Sequence, residues 1–137
     1  MANGRVIGLP NLIREAFVVR EEGSDTRRAM AKCFGSSMAR LRVAMEFPSN
    51  ETIKQAVAAG MGIAFLSTYA AALELETGRL VALNVRGFPH LESWYVVHRR
   101  KKRLPPVARA FKDFLGKEGA RILEPFARGC ANLGRKR

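Results

Sequence analysis

Two short loops carry the side chains that are best suited to bind an anion. The first covers residues 20–27 and the second residues 47–52, and each places small hydroxyl side chains where a predicted strand gives way to a predicted helix. The free backbone N–H groups of a helix start attract negative charge, and guanidinium groups hold phosphate or carboxylate through paired hydrogen bonds. Arg20 and Arg27 in the first loop therefore favour a site for a small anionic ligand.

A structural interpretation of the same loops stays open. Every strand-to-helix connection needs a capping residue, and serine, aspartate and asparagine are ordinary N-caps, most of which bind no ligand. Glu21 and Glu22 stand beside Arg20 and can neutralise the arginines of the loop. The capping pattern alone does not separate a ligand site from two well-formed helix starts.

An α/β pattern is predicted for the elements that hold these loops. In residues 49–67, Ser49 or Asn50 caps a helix, Gly60 ends it, and Gly62 leads into an apolar strand. Because parallel strands end at one edge of a sheet, we expect the two loops to converge there. Periodicity predicts strands at residues 16–20, 42–47, 63–66, 79–85 and 93–98, and helices at residues 9–15, 25–34, 50–60, 68–77, 105–115 and 118–131, the last kinked at Pro125.

The composition fits a globular protein of one domain or two small lobes. The chain has 137 residues, and 47% of them are hydrophobic, which is enough for a core. No apolar run approaches the roughly 20 residues that span a bilayer, and residues 1–8 lack the apolar core of a secretory signal. These features predict a cytoplasmic protein without a membrane partner.

Enzyme chemistry is not indicated by the sequence. His90 and His98 belong to no pattern that supplies a nucleophile with a base, and neither a P-loop nor a GxGxxG motif is present. Cys33 and Cys130 lack metal-ligand spacing and are expected to be buried free thiols. The sequence therefore predicts a binding protein that has no catalytic residue, no metal and no cofactor.

Longer runs of the sequence resemble one protein family. Residues 17–27 (FVVREEGSDTR), 49–57 (SNETIKQAV) and 59–64 (AGMGIA) resemble the effector-binding domain of LysR-type transcriptional regulators. The SNETIKQAV run, residues 72–81 (ALELETGRLV) and residues 94–98 (WYVVH) are similar to the branch that activates the RuBisCO (Calvin-cycle) operons. The resemblance covers roughly residues 9–116.

The resemblance implies a periplasmic-binding-protein-like (type 2) α/β fold in which an effector binds between two lobes. Members of the branch sense metabolites of carbon fixation, so it implies NADPH or a phosphorylated sugar as the effector. It also implies a homo-oligomer, a dimer or higher. Carried over by position, the cleft residues of this chain are Arg20, Gly23, Ser24, Thr26, Arg27, Ser49, Asn50 and Thr52.

The resemblance also divides the chain into parts. Residues 1–8 are a lead-in, residues 9–93 form the second effector-binding lobe, residues 94–116 return to an incomplete first lobe, and residues 117–137 form a basic C-terminal helix and tail. The helix-turn-helix of the family has no counterpart in this pattern. Promoter DNA is therefore expected to be contacted only through that missing N-terminal domain, and the strand at residues 94–98 is expected to have unpaired edges.

Rival interpretations fit parts of the same pattern. A solute-binding-protein-like domain shares the fold, although residues 1–8 lack a signal peptide. A non-specific basic nucleic-acid-binding module is the second rival, since the net charge is +12 and residues 98–137 carry 13 basic but only three acidic residues. No aromatic residue interrupts the basic run at residues 98–103, so a solvated loop and tail are favoured. An enzyme of phosphorylated substrates is the third rival.

Overall fold

A computed structural model describes residues 6–101 and 103–133, with side chains as far as residue 124. The described residues form five helices and two strands, with the last three helices in succession, and a short 3-10 helix, Gly35–Arg40, follows the second helix. The elements are α1 (Leu9–Leu12), β1 (Ala16–Arg20), α2 (Asp25–Phe34), β2 (Arg42–Phe47), α3 (Asn50–Ala58), α4 (Ala72–Glu76) and α5 (Pro106–Leu133).

Strand β1 lies at the centre of the sheet. It pairs in parallel with β2, so that Ala16 stands opposite Arg42 and Arg20 opposite Phe47. On its other side β1 pairs with Ile63, whose backbone N–H donates to the Ala16 carbonyl at 2.8 Å and whose carbonyl accepts from the Val18 N–H at 2.9 Å. This parallel arrangement confirms the α/β class and directs the C-terminal ends of β1 and β2 to one edge.

Alternate residues of β1 enter two separate hydrophobic cores. Phe17 and Val19 pack with Met30 and Phe34 of α2, and the Phe34 ring lies at centroid distances of 5.7–6.5 Å from three other aromatic rings, one of them that of Phe17. Val18 faces the opposite way and is fully buried with residues of α3. Helices α2 and α3 therefore cover opposite faces of β1, and each brings its N-terminus to the same edge of the sheet.

Three strands predicted from apolar runs do not form as strands. Of residues 63–66 only Ile63 pairs with the sheet, and of residues 79–85 only Val85 makes a bridge, to Ile7. Residues 93–98 form no strand, and the side chains of Trp94 and Tyr95 are exposed. Strand formation needs a neighbouring strand, and no strand among the described residues lies beside this segment.

The helices also differ from the sequence-based expectation. The helix predicted from residue 68 begins only at Ala72, and the two helices predicted after residue 105 form one continuous helix, α5. Gly116 and Gly119 weaken a helix by about 1 kcal/mol each relative to alanine, but no proline or cap stops it there. Helix α5 continues past Pro125, the position of the predicted kink, without a break.

Only one of the two predicted buried thiols lies among the described side chains. Cys33 is free, but it is half-buried rather than buried, because it packs at the margin of the core that contains Phe34. Burial raises the pKa of its thiol. The side chain of Cys130 lies outside the described part.

A buried ion pair connects α3 and α4. Lys54 Nζ lies 2.8 Å from Glu74 Oε1 and 2.8 Å from Glu51 Oε2, and the Glu74 side chain is only 9% exposed. The hydrogen bond from Lys54 lowers the pKa of Glu74. The carboxylate form of Glu74 thus stabilises the folded chain.

Acid is expected to remove this stabilisation. Because the pKa of Glu74 is lower in the folded than in the unfolded chain, the benefit is complete above the ordinary glutamate value and disappears as the pH falls through the folded value. At about pH 7, Glu74→Gln should unfold at a lower urea concentration than the wild type. At about pH 3, this difference in urea concentration should be smaller. Glu76→Gln, exposed on the same helix, is the control. An unchanged difference at both pH values would contradict this assignment.

Candidate functional site

The two predicted anion loops meet at the C-terminal edge of the sheet. The backbone N–H of Glu21, at the end of β1, donates to the carbonyl of Phe47 at the end of β2 at 3.2 Å. The side chains also touch, since Arg20 Nη1 donates to Asn50 Oδ1 at 2.8 Å. The expected convergence of the loops is therefore observed, and Arg20 joins them directly.

The first loop is shaped by Gly23 and Ser24. Gly23 has a φ of +86°, a conformation that favours glycine. The Ser24 hydroxyl donates to the Glu21 carbonyl at 2.9 Å and accepts from the Arg27 N–H at 3.1 Å, so it caps α2. Ser24 and Thr26 are half-buried. The structure thus places the predicted site positions Gly23, Ser24, Thr26 and Arg27 at the N-terminus of α2.

The second loop has the same design. The Ser49 hydroxyl accepts hydrogen bonds from the N–H groups of Glu51 at 3.2 Å and Thr52 at 3.5 Å, and so caps α3. Asn50 is half-buried, whereas Thr52 is exposed at the first turn of the helix. Two capped helix starts therefore lie side by side, which concentrates the positive ends of two helix dipoles at one edge.

The charge of Arg20 is already paired. Its Nε and Nη2 atoms lie 2.8 Å and 2.9 Å from the two carboxylate oxygens of Glu21. This bidentate contact lowers the pKa of Glu21 and raises that of Arg20. The alternative that a neighbouring glutamate neutralises an arginine of the loop is thus confirmed for Glu21, while Glu22 is exposed.

Arg27 is the arginine at this edge that has a hydrogen-bond donor without a partner among the described residues. The residue is half-buried, and its Nη1 atom is fully buried without a hydrogen-bond acceptor among the described residues. Within that part of the chain, no salt bridge includes Arg27. Buried guanidinium donors are normally satisfied, so Arg27 is the arginine of this edge with hydrogen-bonding capacity left for an anion.

Sequence reasoning named these candidate residues but missed their mutual contacts. The Arg20–Asn50 hydrogen bond spans 30 positions of sequence, and no local signal indicates it. Among the described residues, no group of three His, Cys, Asp or Glu side chains is arranged to hold a metal ion. No described helix has the length and apolarity required to cross a membrane.

Sequence comparison relates the chain to regulators of carbon fixation. Residues 1–120 match the model of the LysR substrate binding domain. The chain is 48% identical over 122 residues to the RuBisCO operon transcriptional regulator of Allochromatium vinosum, a match that covers 89% of this chain and 40% of the relative. It is 47% identical over 114 residues to the HTH-type transcriptional regulator CbbR of Xanthobacter flavus, with coverage of 82% and 34%. The chain thus spans about two fifths or less of the length of these relatives.

A solved structure supports the same assignment. The regulatory domain of CcmR from Synechocystis PCC6803, determined in complex with 2-PG, is similar with a TM-score of 0.73 and 39% sequence identity. The match covers 80% of this chain and 53% of that chain. It confirms the expected periplasmic-binding-protein-like (type 2) α/β fold. The chain belongs to the LysR substrate binding domain family, and its relatives include transcriptional regulators of RuBisCO operons.

Proposed function

We propose that the chain senses a small phosphorylated metabolite at the edge formed by Arg20, Ser24, Arg27, Ser49 and Asn50. The observation that carries the proposal is the convergence of two capped helix starts beside a buried guanidinium nitrogen of Arg27 that has no acceptor. Two helix N-termini and an unpaired arginine donor favour an anion more strongly than either feature alone. Gly23, Thr26 and Thr52 complete the set of effector-binding residues.

2-PG, which is 2-phosphoglycolate, is the preferred effector in this proposal. The solved CcmR regulatory domain was determined in complex with 2-PG, and it is 39% identical to this chain over the matched part. A phosphate and a carboxylate on one small molecule suit two adjacent helix starts, each of which receives one acidic group. NADPH and phosphorylated sugars share the phosphate and are the competing candidates.

The proposed mechanism is a population shift in a regulator that is not an enzyme. A ligand that binds one arrangement of the effector domain more tightly than another favours that arrangement, and a DNA-binding part of the same protein responds to it. Residues 9–93 act as the second effector-binding lobe and residues 94–116 as the return to the first. The regulator acts in the cytoplasm as a homo-oligomer, and it contacts promoter DNA through a helix-turn-helix domain.

Isothermal titration of the full chain with 2-PG tests the proposal. We expect saturable binding of 2-PG and much weaker binding of glycolate, because glycolate carries one acidic group whereas 2-PG carries two, one for each helix start. NADPH and ribulose bisphosphate should be titrated in parallel to rank the competing candidates. Absence of binding by all three phosphorylated compounds would overturn the proposed function.

Arg27→Ala is expected to weaken 2-PG binding by about 10- to 100-fold, because hydrogen bonds to a charged partner contribute about 1.5–3 kcal/mol each. Arg86→Ala removes the same charge from an exposed position and is the matched control. Dissociation constants of both variants are measured by titration at constant salt. Equal weakening in the two variants would show that overall charge, rather than the Arg27 donor, attracts the ligand.

A further inference from the structure

The Arg20 guanidinium group, which joins the two loops of the anion site, uses each of its three nitrogen atoms within the chain. Nε donates to Glu21 Oε2 at 2.8 Å, Nη2 donates to Glu21 Oε1 at 2.9 Å, and Nη1 donates to Asn50 Oδ1 at 2.8 Å. The edge formed by Nε and Nη2 is one that holds a carboxylate through two parallel hydrogen bonds. A carboxylate of the chain itself therefore fills this edge.

Glu21 combines a fixed backbone with a side chain at the margin of solvent. Its N–H donates to the Phe47 carbonyl at 3.2 Å, and its carbonyl accepts from the hydroxyl and the N–H of Ser24 at 2.9 Å and 3.3 Å. The Glu21 side chain is 36% exposed, and the ion pair with Arg20 holds it. Rotation of this side chain into water would free Arg20 without moving the backbone of either loop.

The exchange of one carboxylate for another on Arg20 has a small energetic cost. Ion pairs between partly exposed side chains contribute little net free energy, because water solvates the charges when they separate. The Glu21 carboxylate reaches water by rotation about its own side-chain bonds. Arg20 is only 18% exposed, so its guanidinium group needs a protein or ligand acceptor more than Glu21 needs a donor. An incoming carboxylate would restore both hydrogen bonds.

We propose that Glu21 is an internal competitor of the effector: its carboxylate occupies Arg20 until the carboxylate of a phosphorylated acid displaces it. The inference rests on the proposed function and deepens it, because it selects phosphorylated carboxylic acids over phosphorylated sugars as the ligand class. Both carboxylates are planar and offer two oxygen atoms to the same edge of Arg20. The phosphate of the ligand then belongs to the start of α2, where Arg27 keeps an unpaired donor.

A purely structural role for Glu21 predicts the opposite response to its loss. A carboxylate that only orients Arg20 toward Asn50 would support the site, so its removal would weaken ligand binding. A competing carboxylate opposes the ligand, so its removal strengthens binding. The hydrogen bond from Arg20 lowers the pKa of Glu21, so the carboxylate stays ionised at neutral pH.

Glu21→Gln removes the competing charge and keeps the size of the side chain. We expect it to bind 2-PG about 10-fold more tightly than the wild type in calorimetric titration, because the freed edge of Arg20 forms charge-assisted hydrogen bonds with the ligand. Glu22→Gln is the matched control, since Glu22 is exposed and no ion pair in the described ranges includes it. Its 2-PG affinity should change by less than about 2-fold, because salt screens an exposed charge.

Glycolate and inorganic phosphate distinguish displacement from a general electrostatic effect. Glycolate supplies a carboxylate for Arg20, so its affinity should rise in Glu21→Gln by about the same factor as that of 2-PG. Phosphate has no carboxylate and should gain less. Loss of a nearby negative charge would instead favour phosphate more than glycolate, because phosphate carries the larger charge. Chemical-shift titration of both compounds measures the two gains.

Three results would overturn the competitor role. They are unchanged or weaker 2-PG binding by Glu21→Gln, an equal gain in Glu22→Gln, and a larger gain for phosphate than for glycolate. Thermal unfolding checks that Glu21→Gln is folded, as its retained backbone hydrogen bonds predict. Failure of the wild type to bind 2-PG, NADPH and ribulose bisphosphate is a separate result, which would overturn the proposed function and this inference with it.

Discussion

Replacing Arg20 and Ser24 together with alanine is expected to abolish measurable 2-PG binding. Arg20 connects the two loops through its 2.8 Å hydrogen bond to Asn50, and its loss leaves the Glu21 carboxylate uncompensated at the site. Ser24 orients the first turn of α2 by accepting from the Arg27 N–H. The double change therefore removes the connection between the loops and adds an unpaired negative charge where the ligand binds. We expect a loss of more than about 100-fold in affinity.

The matched control carries the same substitutions at exposed positions. Arg86→Ala with Ser36→Ala also removes one guanidinium group and one hydroxyl, but neither residue lies in the two loops. This variant should bind 2-PG as the wild type does. Calorimetric titration of both double variants at the same salt concentration measures the difference. If tight binding survives the loss of Arg20 and Ser24, the assigned site is wrong.

Loss of the helix cap could unfold the first loop, and Ser24→Asp separates that effect from binding. Aspartate caps a helix as well as serine does, but its carboxylate cannot donate to the Glu21 carbonyl as the serine hydroxyl does, so the thermal stability should fall modestly while the helix start still forms. Its negative charge lies at the helix start and repels the phosphate. We therefore expect a folded variant that has lost 2-PG binding. Retained binding in this variant would place the ligand elsewhere.

The part of the fold that was predictable from the sequence is the part with local signals. Strands β1 and β2 and helices α2 and α3 appear at or within two residues of their predicted bounds. Each of the two helices has its capping residue next to its own first turn. Strand β1 is an apolar run that is long enough to be predicted as a strand from its sequence alone. The convergence of the loops then follows from parallel pairing, which requires no side-chain information.

The predicted strands that do not form, and the side-chain contacts of the site, depend on partners that are distant in sequence. Residues 93–98 have the composition of a strand, but a strand exists only beside another strand, and none of the described residues provides one. Residues 79–85 retain a single bridge, from Val85 to Ile7. The same limit applies to the site, where the hydrogen bond between Arg20 and Asn50 depends on three-dimensional distance, whereas the pairing of Arg20 with the adjacent Glu21 was open to sequence reasoning.

Gly62→Ala is expected to destabilise the chain more than any other glycine substitution described. Gly62 has a φ of +154°, and a Cβ atom at this position would overlap the carbonyl oxygen of Ala16. That carbonyl accepts the hydrogen bond from Ile63 at 2.8 Å that attaches this segment to β1. Relieving the overlap would break the bond, because both groups belong to backbone and cannot rotate away. The expected loss is about 3 kcal/mol or more in the free energy of unfolding.

Substitutions at two other glycines distinguish the effect of the steric overlap from the effect of the backbone conformation. Gly60 has a φ of +78° but open space around it, so Gly60→Ala should cost only the left-handed conformation, about 1–2 kcal/mol. Gly119 lies within α5 and is also open, so Gly119→Ala should stabilise the helix by about 0.5–1 kcal/mol. Urea unfolding followed by circular dichroism gives all three values. If Gly62→Ala and Gly60→Ala lose the same stability, contact with Ala16 does not restrict position 62, and the attachment of residue 63 to β1 is looser than its hydrogen bonds indicate.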